Sequence, residues 1–301
     1  MPTTAASDEV SAGARLLARL IEPLAGQVYF APECHRRYAA LGFNPSPRST
    51  SGGVALPDGP AYFTSRGSAL GQAPGELVAA AFGVFSLEAV VPSITFGWSI
   101  TDAAIIAQER LQGGVEQLER ILGGEPDGIH RANELLARAV APLEPWGRAL
   151  FAGTLAQPLP GTPLGDLFRL GDRLREFRGD CHIAAWVAAG LDATEIGLLT
   201  EPYWGMPART YVRTRAWTDP QLDAAEARLQ SAGHLAEGTL TESGRSFREA
   251  IELTTDAQLA PALGALGDDL PELAALLQPW GEAVMAAGGY PPSPLAITPK
   301  R

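Results

Sequence analysis

The stretch from Trp217 to Arg245 constrains the fold most, because it carries start and stop signals for three consecutive elements. One predicted helix has an apolar face formed by Leu222, Ala225 and Leu229. The residues that mark where these elements start, turn or end are, in chain order, the capping-box pair Thr218 and Gln221, the helix stop Gly233, the hairpin turn Glu237-Gly238 and the helix cap Thr241. The order helix, two-stranded wing, helix predicts a winged helix.

Most of the remaining chain shows the periodicity of amphipathic helices. The predicted helices cover residues 10–24, 73–85, 86–91, 94–122, 129–143 and 164–177. Two Pro/Gly-rich stretches, residues 44–60 and 156–163, are predicted loops. The predicted fold class is therefore mainly α, with helical domains and winged-helix units that each carry a short β-hairpin.

The strongest helix breaker is the Gly/Pro-rich run from Gly123 to Gly128. It predicts an N-terminal helical domain at residues 1–124 and a C-terminal helical domain at residues 125–301. The C-terminal domain would contain the winged helix, at about residues 164–255 in all.

The overall charge argues against a nucleic-acid reader. The formal net charge is −11, and no run of arginines offers phosphate contacts. Residues 219–252, which include the predicted recognition helix and wing, carry seven acids and three arginines. We therefore expect DNA to be a less favourable partner than a small molecule.

The chain predicts a cytoplasmic protein that does not contact a membrane. Residues 1–10 do not contain a basic segment followed by an apolar one, the pattern of a secretory signal. Charged residues and a proline interrupt the apolar stretch 77–107, so its uncharged runs are too short to span a bilayer. In that reducing compartment the two cysteines are expected to be free thiols. The paired glycines fit no nucleotide-binding motif, so no cofactor is expected.

Two matching tripeptides, Glu33-Cys34-His35 and Asp180-Cys181-His182, carry the best candidates for chemistry. Gly179 predicts the end of one helix and Asp180 the cap of the next, which would place Cys181 and His182 in a first helical turn. The positive helix end would keep the imidazole neutral and make the thiol more acidic. Pro32 and Glu33 likewise predict a helix start.

The tripeptides leave several interpretations open. An Ala-Arg…Pro-Leu pattern precedes each one, at residues 18–24 and 137–143, which indicates either an internal duplication or a chance match. A zinc site would need both tripeptides to meet, and the usual ligand spacings are absent, so no metal is expected. The structural alternative is that the cysteines are small core residues and Asp180 only a cap.

The stretch 217–245 resembles the MarR-type winged-helix regulators. Nearly the whole chain is also similar to an actinobacterial family described as helix-turn-helix, in residues 62–71, 177–185 and 217–245. This resemblance implies no reaction, but its pattern includes Arg66, Arg178, Asp180 and His182. The family shows glycine where this chain has Cys181, and Cys34-His35 is not part of the pattern.

These observations predict a pocket for a small organic ligand, one part of it anionic. His182, held by Asp180 or another carboxylate, would be the acid/base group of a cofactor-independent isomerase, cyclase, lyase or hydrolase of specialised metabolism. The predicted ligand-binding residues are Arg66, Arg178, Tyr62, Trp186, Glu33 and His35.

Each of these residues also has a structural alternative. Arg66 would pair with Asp180 or Glu176, and Trp186, Tyr203 and Trp204 would merely pack. The competing function classes are a ligand-responsive winged-helix transcription regulator, here expected as a homodimer, and a scaffold without a site.

Overall fold

The computed structural model describes residues 4–47 and 54–291, and in this part of the chain α-helices are joined by loops and one hairpin. The first seven helices are α1 Thr4–Gly26, α2 Pro32–Leu41, α3 Gly59–Gly67, α4 Gly75–Phe82, α5 Leu87–Ile100, α6 Ala103–Leu122 and α7 Ile129–Val140. The others are α8 Ala149–Ala156, α9 Pro163–Ala188, α10 Ala193–Tyr203, α11 Asp219–Ser231, α12 Glu242–Ala257, α13 Ala260–Leu266 and α14 Leu270–Ala286. Strands β1 Leu235–Ala236 and β2 Thr239–Leu240 form the hairpin. The predicted class, mainly α with a short hairpin, is confirmed.

Helix α9 is the centre of the molecule. It packs against α1, α6, α7, α8 and α12, and α1 packs in turn against α14. The largest hydrophobic cluster accordingly contains residues from both sides of Gly124, including Leu17 and Leu136. Helices from both sides of residue 124 thus share one core. The division into two domains at this residue remains a prediction.

The predicted helix break at Gly179 is wrong, because α9 runs through it without interruption. A glycine inside a helix costs roughly 1 kcal/mol relative to alanine, which is small beside the burial that α9 gains. Phe177, Cys181 and Ala185, which flank the glycine, are all buried in the surrounding helices. Tertiary packing thus overrides the local signal.

Other boundaries differ for similar local reasons. The predicted helix 94–122 is interrupted at Thr101, and Asp102 then caps α6 by accepting a hydrogen bond from the Ile105 amide. The predicted loop 44–60 contains residues 48–53, which lie outside the described part of the chain, and helix α3 begins at its end. Among the described residues no single helix is both long and apolar enough to cross a membrane.

Residues 193–257 are called the winged-helix segment here. Its predicted signals are confirmed: Thr218 and Gln221 form a capping box, and Thr241 accepts a hydrogen bond from the Gly244 amide. The hairpin turns at Glu237 and Gly238, whose φ angles of 51° and 74° are both positive, as a tight two-residue turn requires. The connection between α10 and α11 is long and contains only a 3-10 turn, Val212–Arg215.

Candidate functional site

A cavity of about 190 Å³ lies between the central helix α9 and the winged-helix segment, beside the contact of α9 with α12. Its walls come from Val84, from α9, α10 and α12, and from the connection between α10 and α11. The polar and aromatic side chains that line it are Arg178, His182, Thr200, Trp204, Tyr211, Arg215, Arg248 and Glu252. Two residues predicted from the sequence, Arg178 and His182, therefore share one cavity.

Glu252 lies between two of the cavity arginines. Its Oε2 accepts a hydrogen bond from Arg178 Nη2 at 2.9 Å, and its Oε1 lies 2.7 Å from Arg248 Nη1. Although burial opposes ionisation, the two guanidinium groups and His182 lower the pKa of Glu252 to about 2. Glu252 is thus a buried carboxylate that is ionised at neutral pH.

The ion pairs continue away from the cavity and balance one another. Arg178 also reaches Asp256 at 3.3 Å, and Arg15 binds both Asp256 at 2.6 Å and Glu249 at 2.7 Å. Together with the pairs of Glu252, three arginines meet three carboxylates. This network therefore leaves no net charge to attract a ligand.

Arg215 is the cavity arginine that has no such partner. Its guanidinium carbon lies 4.6 Å from the ring centre of Phe85 and 4.3 Å from that of Tyr211. Within residues 4–47 and 54–291 its side chain makes no ion pair, and its buried Nε has no hydrogen-bond partner. The cavity wall consequently presents one positive charge that the described protein does not neutralise.

Thr255 and Glu252 favour one tautomer of His182. The Thr255 hydroxyl oxygen lies 2.8 Å from the Ile251 carbonyl oxygen and 3.1 Å from His182 Nδ1, and Glu252 Oε1 lies 3.9 Å from the same nitrogen. When Thr255 donates its one proton to the Ile251 carbonyl, its oxygen accepts from Nδ1, and the nearby carboxylate favours a proton there as well. The proton of the neutral ring therefore lies on Nδ1, and Nε2 keeps a lone pair that no described residue uses. Burial lowers the pKa of His182 to about 4, so this form dominates at neutral pH.

Arg66 and Asp180 lie outside this cavity, which corrects the expected convergence with His182. Arg66 makes a two-point ion pair with Glu176, from Nε at 3.1 Å and Nη2 at 2.7 Å, which is one of the structural alternatives for it. Asp180 accepts from the Phe151 amide at 2.9 Å at the start of α8. Burial raises the pKa of Asp180 to about 7. Thr255, not Asp180, orients His182.

Tyr62 and Trp186 are packing residues. Tyr62 stacks edge-on against Tyr29 and Phe63, with ring centres 5.0 and 5.3 Å apart. Trp186 is buried in a small cluster with Ile196 and Ile251. Neither lines the cavity, whereas Trp204, half of which is exposed, does.

The first tripeptide belongs to the core rather than to the site. Helix α2 begins at Pro32, as the sequence predicts, and Gly42 follows its last residue, Leu41. Glu33 accepts from Arg120 Nε at 2.7 Å, and His35 Nε2 lies 3.0 Å from the Tyr29 carbonyl oxygen. Neither Glu33 nor His35 lines the cavity described above, so their predicted ligand-binding role stays a prediction.

The two cysteines are buried and lie in different surroundings. Cys34 packs directly on Gly113, and burial raises the pKa of its thiol to about 12. Cys181 Sγ accepts from Arg148 Nε at 3.1 Å, and burial raises its pKa as well. The predicted acidic thiol is wrong because α9 has no helix start here. No three His, Cys, Asp or Glu side chains converge as metal ligands within the described ranges.

Sequence reasoning missed Arg215, Arg248, Glu252 and Thr255. Arg248 and Glu252 are four residues apart on α12, a spacing that signals a helix ion pair, but nothing local indicates that the pair is buried. Arg215 lies in the connection to which the sequence assigns no element. These residues become a site only through contacts with α9 and α10.

Comparison with known proteins matches residues 14–291 to the model of a helix-turn-helix family. The match spans most of the chain, so the chain belongs to this helix-turn-helix family. No curated protein and no solved structure shows significant similarity to it.

Proposed function

We propose that this chain is a ligand-responsive helix-turn-helix regulator. A small organic anion binds in the cavity, and its presence changes how the winged-helix segment contacts DNA. The observation that carries the proposal is the charge of Arg215, which has no ion-pair partner among the described residues and lines a cavity whose walls are largely the winged-helix segment itself. The family match supports the regulator class over an enzyme.

The position of Arg215 offers a route from the ligand to α11. Its carbonyl accepts from the Ser86 amide at 3.0 Å, and Trp217 Nε1 donates to the Val84 carbonyl at 3.0 Å. Thr218, which caps α11, follows directly. A ligand that draws the guanidinium off Phe85 and Tyr211 would act on the residues that set where α11 begins.

The charges of the winged-helix segment limit its affinity for DNA. Arg209 pairs with Asp223 and Glu226 on α11, and Arg228 pairs with Glu195, so these cations are already neutralised. We expect the affinity for DNA to be low and to fall only slightly as the salt concentration rises, with a slope equivalent to roughly one or two phosphate contacts. A homodimer, which would supply paired half-sites, and a cytoplasmic location belong to the same proposal.

Binding is tested by isothermal titration of benzoate and other small carboxylates into the wild type and an Arg215→Met variant. Loss of a charge-assisted contact should weaken binding at least tenfold. Arg213→Ala is the matched control, because Arg213 lies in the same 3-10 turn but is exposed and pairs with Asp219. Equal affinity of all three proteins, or no binding by any, would contradict the proposal.

The DNA arm is tested by a mobility-shift assay with the DNA upstream of the gene, at two salt concentrations, with and without the carboxylate. A ligand-dependent change in affinity supports the regulator. If no DNA binds in either state, the regulator class is rejected while ligand binding is judged by the titration alone.

One observation favours a second candidate, a cofactor-independent acid/base enzyme. The neutral His182 ring has a free lone pair on Nε2, the form that can accept a proton from a bound molecule. Chromatography of the titrated carboxylates after prolonged incubation distinguishes the candidates. Conversion that disappears in His182→Asn would favour the enzyme, and unchanged ligand would favour the regulator.

A further inference from the structure

We propose that the ligand is a monocarboxylate of about one ring in size that also carries a hydrogen-bond donor, with its carboxylate on Arg215 and its donor on His182 Nε2. This inference rests on the proposed anion-binding function and specifies its ligand class. It combines the charge, the size and the hydrogen-bonding capacity of one cavity.

The charges around the cavity favour a monoanion. Arg178 and Arg248 are already neutralised by Glu252 and Asp256, so the binding of a carboxylate to Arg215 completes the charge balance. A dianion such as a phosphate monoester would bring a second negative charge close to the ionised Glu252. Such repulsion in a partly buried site is unfavourable.

The cavity volume sets the size of the part of a ligand that the cavity can enclose. An engineered apolar cavity of about 150 Å³ in another protein holds one benzene molecule. A cavity of about 190 Å³ therefore accommodates a single ring with a carboxylate and one further small group. The aromatic wall formed by Trp204 and Tyr211 favours a flat ring.

His182 Nε2 calls for a hydrogen-bond donor on the ligand. With the His182 proton on Nδ1, where Thr255 accepts it, Nε2 can only accept. A ligand that buries Nε2 without donating to it would leave an unsatisfied acceptor, which costs affinity. A hydroxyl or amino group on the ring satisfies this nitrogen, whereas a methoxy group of similar size does not.

The test is a titration series at neutral pH with 3- and 4-hydroxybenzoate, 3- and 4-aminobenzoate, benzoate, 3- and 4-methoxybenzoate and phenyl phosphate. We expect the best donor-bearing acid to bind about fivefold to tenfold more tightly than benzoate and the methoxy acids. Phenyl phosphate should bind more weakly than benzoate. In Arg215→Met, all of the carboxylates should lose at least tenfold in affinity.

The donor preference is assigned to His182 with two variants. His182→Phe keeps a ring but has no acceptor, so the difference in affinity between the donor-bearing acids and benzoate should vanish. Thr255→Val leaves His182 in place but removes the group that fixes its tautomer, so the preference should shrink. Nitrogen NMR of the wild-type imidazole should show the proton on Nδ1, and circular dichroism checks that each variant is folded.

The outcomes separate the two levels of the proposal. If benzoate and the hydroxybenzoates bind equally well through Arg215, the anion site stands and the donor inference is overturned. A proton found on Nε2, or a donor preference that survives His182→Phe, also overturns it. If no carboxylate binds the wild type, the proposed function itself fails.

Discussion

Two arginine clusters lie along α9, and they differ in what surrounds the charges. In the inner cluster, Arg66 and Arg175 both bind Glu176, and Arg110 makes a two-point pair with Asp172. The void beside it is about 10 Å³, room for about one water molecule. The outer cluster consists of Arg178, Arg215 and Arg248 around the cavity of about 190 Å³, and Arg215 has no described partner.

The difference shows why residue type alone does not identify a binding site. The sequence resemblance includes Arg66 and Arg178 alike, yet Arg66 is used up in an ion pair that ties α3 to α9. A buried pair without adjacent space is a structural contact, because neither charge is available to a ligand. A partly buried charge becomes a candidate for binding when it lacks a partner and faces an open volume.

The largest expected effect comes from breaking the inner cluster. Arg66→Met leaves Glu176, which is almost fully buried, without one of its charge partners, so we expect a loss of about 3–5 kcal/mol in the free energy of unfolding. Urea denaturation measures this loss. Arg131→Ala removes an exposed pair with Glu272, which solvent screens, and should cost far less. Similar losses in both variants would show that the inner pair is not structural.

The next effect is the pH dependence that His182 introduces. The pKa of His182 is about 4 in the folded protein and roughly 6.5 in the unfolded chain. The contribution of the neutral ring to the free energy of unfolding is therefore complete above pH 6.5 and is lost as the pH falls to about 4. His182→Asn keeps a donor for Thr255 but does not titrate. Between pH 7 and 4.5 the wild type should therefore lose up to about 3 kcal/mol relative to this variant. Parallel curves would show that His182 is not buried as a neutral ring.

A smaller effect distinguishes the strained connection from the regular helix that follows it. Ala216 has a φ angle of 63°, which favours glycine, so Ala216→Gly should stabilise the protein by about 1 kcal/mol. Ala224→Gly on the exposed side of α11 should destabilise it by a similar amount. Thermal unfolding of both variants gives the two signs, and equal signs would argue against strain at Ala216.

The smallest effect is expected at Arg215, although this residue matters most for the proposed function. Without ligand its buried Nε has no partner among the described residues, and its ring contacts with Phe85 and Tyr211 are largely retained by a flexible apolar side chain. Arg215→Met should thus change the free energy of unfolding by less than about 1 kcal/mol. A loss as large as that of Arg66→Met would make Arg215 a structural residue instead.

The sequence predicted the features that depend on near neighbours. The cap at Thr218, the turn at Glu237 and the start of α2 at Pro32 each follow from residues within one helical turn. The continuity of α9 through Gly179 could not be predicted, because helices distant in sequence supply the packing that sustains it.

The same limit applied to the candidate site. Arg178 and His182 were identified, but the role of His182 depends on Thr255, which is 73 residues away. Arg215 carries no local signal at all, since its significance is the absence of a described partner in the folded protein. The site is therefore defined by burial and by side-chain pairs between residues far apart in the sequence. Sequence motifs and hydrophobic periodicity do not reveal either of these.

The central claim is that Arg215 makes this cavity an anion site, and a crystal structure of the protein with 3- or 4-hydroxybenzoate, whichever binds more tightly, tests it most directly. We expect the carboxylate within hydrogen-bond distance of the Arg215 guanidinium, between α9 and the winged-helix segment. We also expect the hydroxyl to donate to His182 Nε2. A ligand bound elsewhere, or an Arg215 still unpaired beside an occupied cavity, would contradict the account.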